Sequence, residues 1–281
     1  MQWYPTTYAV GSFPYGVAFD GTNIWVTNAN SNTVTKLLPT SGAVVGTYAV
    51  GKNPNGVAFD GTNIWVSNHG DSTVTKLLAS SGAVVGTYAV GGYPYGVAFD
   101  GTNIWVTNYN GNSVTKLLAS TGAVVGTYAV GDGPWGVAFD GTNIWVVNYA
   151  SNSVTKLLAS SGAVVGTYAV GSGPVGVAFD GTNIWVANVS SSSVTKVLAS
   201  SGAVVGTYAV GSEPVGVAFD GTNIWVANWE SNTVTKVLAG SGAVVGTYAV
   251  GSNPVGVAFD GTNIWVANQG SNNVTKIGAT R

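Results

Sequence analysis

The chain contains one histidine, His69, standing between Ser67 and Asp71, and no cysteine in 281 residues. Ser, His and Asp are the parts of a nucleophilic triad. Triad members, however, are brought together from separate parts of a fold, and three polar groups at alternate positions of one short stretch are what an exposed turn presents. A lone imidazole without a thiolate falls short of a nitrogen and sulfur metal site, and thiol catalysis is excluded. The acidic residues offer a second constellation. Asp20, Asp60, Asp100, Asp140, Asp180, Asp220 and Asp260 recur every forty residues, each followed by Gly. An Asp in that position holds its own turn through backbone hydrogen bonds, which is the expected role; a ring of carboxylates around a cation or ordered waters is the other. Lys36 and its six equivalents share the period and are expected to keep an outer strand soluble. No catalytic, metal or cofactor site is expected, and the chain reads as non-enzymatic.

The forty-residue period is the dominant fact of the sequence. Gly16-Val-Ala-Phe-Asp-Gly-Thr-Asn-Ile-Trp-Val26 returns unchanged from 56, 96, 136, 176, 216 and 256. Such a repeat must be settled before any other feature. With 46% apolar and only 7% charged residues, ten Trp and thirteen Tyr, the chain has the content of a packed core and not of a disordered segment. A net charge of −2 without a basic stripe gives no electrostatic footprint for nucleic acid or for anionic membranes. No apolar run reaches the length of a transmembrane helix, and no signal-peptide core follows Met1. The lack of cysteine is compatible with any compartment.

One copy, residues 12 to 51, reads as four extended runs. Gly16 to Phe19 ends at Asp20-Gly21, Ile24 to Asn28 ends at a polar cluster, Thr33 to Leu38 ends at Ser41-Gly42, and Ala43 to Val50 ends before Pro54. β-Branched and aromatic residues between turn signals are strands, and no segment carries a helical period or cap. Four antiparallel strands per copy, seven times, is the arithmetic of an all-β, seven-bladed β-propeller, one domain over residues 1–281. The ends of the chain favour a closed ring over an open solenoid. Thr7-Tyr-Ala-Val-Gly11 repeats Thr47-Tyr-Ala-Val-Gly51, whereas the seventh copy stops after its third strand. The first segment therefore supplies the outer strand of the last blade, and a monomer without free ends results.

Trp25-Val-Thr-Asn28 followed by Asn32-Thr-Val34 resembles the YVTN-type bacterial propeller repeat, with Trp for its leading Tyr. Pro14-x-Gly16-Val-Ala is similar to NHL propellers. The resemblance implies the fold; propellers of this kind serve as lyases, binding scaffolds and surface-layer modules. Virginiamycin B lyase-like propellers, which the chain resembles in fold, rely on His and carboxylate groups with a divalent ion, and no matching constellation is present.

Differences among the copies gather in two connections. The fourth-to-first connection reads Ser12-Phe13-Pro14-Tyr15 in one copy, Lys52-Asn53-Pro54-Asn55 in the next, then Gly92-Tyr93-Pro94-Tyr95, and on through Trp135 to Val at the last three. The second-to-third connection carries His69, Tyr109, Tyr149, Trp229 and Glu230 at its variable positions. Strands alternate in direction, so both connections emerge on one face. Rigid scaffolds carry recognition on such loops, and Tyr and Trp give contact area at low entropic cost. The expected ligand face comprises Phe13, Tyr15, Lys52, Asn55, His69, Tyr93, Tyr95, Tyr109, Trp135, Tyr149, Trp229 and Glu230, with a glycan or protein as ligand. Near-identical copies also fit a structural or designed repeat protein without a ligand.

Overall fold

Turn chemistry cuts each copy into strands at the places its sequence marks. In the computed structural model, which describes residues 5–279, every copy is a four-stranded antiparallel sheet, and seven such sheets form the propeller. The first blade runs outward through Pro14–Phe19, Ile24–Asn28, Thr33–Leu37 and Val44–Ala49. First strands of neighbouring blades meet around a central cavity. Closure is as the chain ends imply: Thr6–Ala9 pairs with Asn273–Gly278 and completes the seventh blade, with Tyr8 opposite Val274. Two single 3-10 turns, Tyr109–Gly111 and Val189–Ser191, interrupt the all-strand pattern among the described residues. Each is followed by a left-handed residue, Asn112 or Ser192, that returns the chain to the third strand.

The blades meet through a repeated seam built on tryptophan. Trp145 is fully buried and packs with Val154 against Ile184, Val186 and Val197 of the next blade. A buried indole must still satisfy its N–H. Nε1 donates to Asp140 Oδ2 at 2.7 Å, while Asp140 Oδ1 accepts from the backbone N–H groups of Thr142 and Asn143 at 2.8 and 2.6 Å. Each aspartate therefore holds its turn, as expected, and also the tryptophan of its own blade. Both oxygens are taken by donors of the same turn and strand. Tyr168 from the outer strand covers the same indole, ring centroids 5.8 Å apart.

The lysines overturn the expectation placed on them. Lys36 is only 5% exposed, Lys76, Lys116, Lys156, Lys196 and Lys236 are likewise buried, and Lys276 is half-buried. The third strand is not the solvent-facing one; the fourth is, with Val44 54% exposed and its copies similar. Lys156 lies opposite Trp145 on the paired strand, its Nζ 5.2 Å from the indole centroid and donating to Ala199 O of the next blade at 2.7 Å. The ammonium is buried because ring face and carbonyls replace its water. Its function is to latch blade to blade, and Lys276 Nζ to Pro39 O at 2.6 Å closes the ring with the same latch. A glycine in the third turn completes the seam: Gly82 has φ +76°, and any Cβ there would run into the Tyr48 ring of the preceding blade.

Trp145→Ala should lose about 3–5 kcal/mol in chemical denaturation, and a loss of a few tenths would contradict its burial. Acid should act through the aspartates. Burial alone would raise the Asp140 pKa, but the Trp145 indole, the Asn143 and Thr142 amides and the Asn143 side chain together hold it below its ordinary 3.8; Asp60, Asp100, Asp180 and Asp220 behave alike. A lowered carboxyl pKa stabilises the fold fully above the unfolded value and loses that contribution as pH falls through the folded one. Thermal melts followed by circular dichroism should show the contribution of these five groups intact down to about pH 4 and falling below it, less steeply in Asp140→Asn.

Candidate functional site

The two variable connections do share one face, and they are tied to each other. Within a blade, the backbone N–H of Ala29 donates to Phe13 O at 2.9 Å, that of Tyr109 to Tyr93 O at 3.1 Å and that of Trp229 to Glu213 O at 2.8 Å. Between blades, Asn32 Oδ1 accepts from Asn53 N at 2.9 Å and Asn272 Oδ1 from Phe13 N at 2.8 Å across the ring closure. Beneath them Asn28 is buried, its Nδ2 donating to the hydroxyls of Thr33 and Thr35. The face is a set of side chains on a fixed backbone.

A bulge sets the aim of the key position. In six first strands the register shifts between the proline and the valine three residues on, as between Pro14 and Val17, and in the fifth blade between Pro174 and Gly176. A bulge re-aims the side chain it contains, and Tyr15, Tyr95, Trp135, Val175, Val215 and Val255 accordingly line the mouth of the axial cavity, a space of about 200 Å³. The seven positions are not equivalent. One side of the mouth is filled by rings: Tyr95 stacks on Trp135 with centroids 4.1 Å apart, and Trp135 Nε1 donates to Oη of Tyr15, three blades away, at 3.2 Å. Burial, the nearby Tyr95 phenol and, in the other direction, the Trp135 indole act on Tyr15, and the net result holds its hydroxyl well above the usual tyrosine pKa. Burial and the Tyr109 phenol raise that of Tyr95. The other side of the mouth has only the three valines.

Three hydroxyls, of which the sequence drew attention only to Ser67 and for a different role, support the filled side. Thr27 Oγ1 donates to Asn55 O at 2.7 Å, Ser67 Oγ to Tyr95 O at 2.6 Å and Thr107 Oγ1 to Trp135 O at 2.6 Å. Each also accepts from a glycine N–H of its own blade at 2.8 Å. In the remaining blades the equivalent residue is Val147, Ala187, Ala227 or Ala267. The signal was present in the copies: Thr, Ser and Thr precede the blades that carry Asn55, Tyr95 and Trp135.

Over the open side lies a groove of about 410 Å³. Trp135 joins the two regions, with Tyr109 edge-on at 5.8 Å and Tyr149 tilted at 5.7 Å. Tyr109, Trp135 and Tyr149 form one wall with Tyr15 at its end; Val175, Val215 and Val255 form the floor; Trp229, Gln269 and Glu213 form the other wall. Trp229 Nε1 donates to Gln269 Oε1 at 3.2 Å. Gln269 and the valine floor were not anticipated, because valine reads as ordinary core and the amide matters only through its contact with Trp229.

The expected residues thus divide. Tyr15, Tyr109, Trp135, Tyr149 and Trp229 line the groove. Tyr95 backs Trp135, and His69 backs Tyr95 in turn, stacking on Tyr93 at 4.6 Å and tilted against Tyr95 at 4.8 Å. Asn55 is a correction: it is 7% exposed, closed in on the filled side of the mouth, and is not a surface group. Phe13, Lys52 and Glu230 are exposed on the rim and do not line the groove. Ser67, His69 and Asp71 do not act together. Ser67 is bonded to Tyr95 O, Asp71 Oδ2 accepts from Lys52 N at 2.7 Å, and burial lowers the basicity of the His69 ring. Among the described residues no group of three or more His, Asp or Glu stands together as a metal site.

No family model matches the sequence, and no curated protein matches it. Solved structures match the fold along the whole chain. A streptogramin B lyase superposes with a TM-score of 0.84 at 20% identity, over 98% of this chain and 97% of that one. Virginiamycin B lyase from Staphylococcus aureus, in a catalytically inactive His-to-Ala form with quinupristin, gives 0.84 at 18% identity over 98% and 99%. Kuenenia stuttgartiensis hydrazine synthase gives 0.83 at 20% identity over 96% and 97%. At these identities the likeness is one of fold: the chain is a seven-bladed β-propeller of repeated blades whose structural neighbours include lyases of the virginiamycin B type.

Proposed function

We propose that the protein is a non-enzymatic recognition scaffold, built on blades of YVTN or NHL type, that binds a ligand such as a glycan or a projecting segment of a protein in the groove beside the channel mouth. One observation carries this reading. Val44 and Val45 are 54% and 49% exposed, and their segment is identical in six copies, whereas the groove walls come from positions that differ from blade to blade. Exposure alone does not make a position vary here; location on this face does.

Backbone strain points the same way. Phe13, Tyr93 and Glu213 all have left-handed φ values of 61°, 53° and 53°, at a position that other copies give to Asn or Gly. Left-handed backbone costs an L-residue about 1–2 kcal/mol relative to Gly, and such strain gathers at functional loops. Two structural neighbours are named lyases, one inactivated by replacing a histidine. The sole histidine here packs among tyrosines outside the groove, which favours binding without turnover.

A thermal-shift screen of glycans and small molecules against the intact protein is the direct test. Hits should lose at least about tenfold in affinity, or 1.4 kcal/mol, in Trp135→Ala and Trp229→Ala and be unaffected by Ser160→Ala on the opposite face. An absence of hits, or hits indifferent to both tryptophans, would sink the reading. Glu213→Gly should raise the stability of the unliganded protein by about 0.5 kcal/mol in urea, strain relief outweighing the added freedom of the unfolded chain.

A further inference from the structure

The groove is walled by rings, floored by methyl groups and carries one ionised side chain. That side chain is Glu213, and no Lys, Arg or His lines the space. The face of an aromatic ring is the negative end of its quadrupole and attracts cations. Tyr95 stacks on one face of Trp135; the Tyr149 ring lies tilted against the same indole at 43°, and Trp135, Tyr149 and Trp229 all line the space. An anion placed here would meet Glu213 and ring faces, with no charged partner.

The protein's own seams show what ring faces hold in this fold. Every blade carries an ammonium over its tryptophan, at 5.0 Å for Lys236 and 5.5 Å for Lys276. In the seams the ammonium N–H groups are met by carbonyl oxygens, as Lys36 by Ala79 O and Ser80 O. The groove floor of Val175, Val215 and Val255 has no side-chain acceptor. An N–H pressed onto these methyl groups would find no side-chain acceptor there, at about 1–3 kcal/mol if it stays unpaired, which disfavours a primary amine on the floor. A quaternary ammonium has positive charge and no N–H, and presents methyl groups outward.

We propose that the groove binds a small molecule bearing an N-methylated quaternary ammonium group, seated between Trp135, Tyr149 and Trp229 over the valine floor, with Glu213 at its edge. This rests on the groove being a ligand site. A volume of about 410 Å³ holds such a head group with a short tail and falls in the ordinary range for small-molecule sites.

The test uses tetramethylammonium, choline and the uncharged carbon isostere of choline, 3,3-dimethyl-1-butanol, titrated into the full chain and followed by tryptophan fluorescence and calorimetry. The expected result is saturable binding of both cations, with the isostere about tenfold weaker, the range of a desolvated cation–π contact. Glu213→Gln should weaken the cations about threefold or more and leave the isostere unchanged. Trp135→Phe, which keeps a ring and protects the fold, should weaken the cations, with an unchanged circular dichroism melt as control. Equal binding of choline and its isostere overturns the cation assignment and leaves an apolar ligand site standing. If none of the three probes binds while a screening hit depends on Trp135, the assignment is again overturned and the recognition reading survives; failure of probes and screen together removes both. A trimethyllysine peptide that binds more tightly than choline overturns the small-molecule source.

Discussion

Burying an indole at each blade boundary is the requirement on which the remaining structure depends. A large ring provides the packing that joins sheet to sheet, but its N–H has to be satisfied where no water reaches. The carboxylate that does so, Asp140 in the fourth blade, is the one that shapes the first turn, so a single group ties the turn to the core. Placing an ammonium over the ring then demands carbonyl acceptors, and these come from the adjoining blade. Turn, core and latch are one hydrogen-bonded unit, and the unchanging Gly16 to Val26 segment together with Lys36 is its sequence. Nothing in that unit reaches the loops at the other end of the strands, so the loops are free to differ.

The freedom is used unevenly. Tyr15, Asn55, Tyr95 and Trp135 close one arc of the mouth, and three valines leave the other arc low. A symmetric ring of seven identical blades has no preferred direction across its face. Here the closed arc acts as a backstop: Trp135 is held by Tyr95, by Tyr15 and, through its carbonyl, by Thr107. A wall braced on several sides presents its contact surface without an ordering cost on binding.

Much of this was legible in the sequence. The forty-residue period, the Asp-Gly and Ser-Gly turns and the match between Thr7 to Gly11 and the fourth strand together fixed blade number, strand number and closure, because each is a local signal. The lysines misled for a physical reason. A lysine on a strand usually marks an edge, and only the approach of a neighbouring blade's carbonyls at Ala79 or Ala199 makes it a core residue. Comparison of the copies located the variable face, yet Asn55 and Tyr109 look alike in that comparison; one is enclosed and the other lines the groove. That division depends on which residues face each other across the ring, a relation between blades far apart in sequence, as Tyr15 and Trp135 are.

The hydroxyls at Thr27, Ser67 and Thr107 have a consequence for how such a face changes. Each braces the residue at the mouth of the following blade, and Asn32 Oδ1 likewise holds the loop of its successor. The working cassette of the face therefore runs from Thr27 to Asn55, beginning in the second strand of one blade and ending in the first strand of the next. It is continuous in the chain and half a blade out of phase with the architecture. An exchange whose breakpoints fall at the blade boundary, between Gly51 and Pro54, transplants a mouth residue without its brace, whereas one with breakpoints in the constant Asp-Gly-Thr-Asn turns at 20 and 60 carries Thr27 through Asn55 together. The unit of inheritance for recognition is thus a different forty residues from the unit of folding.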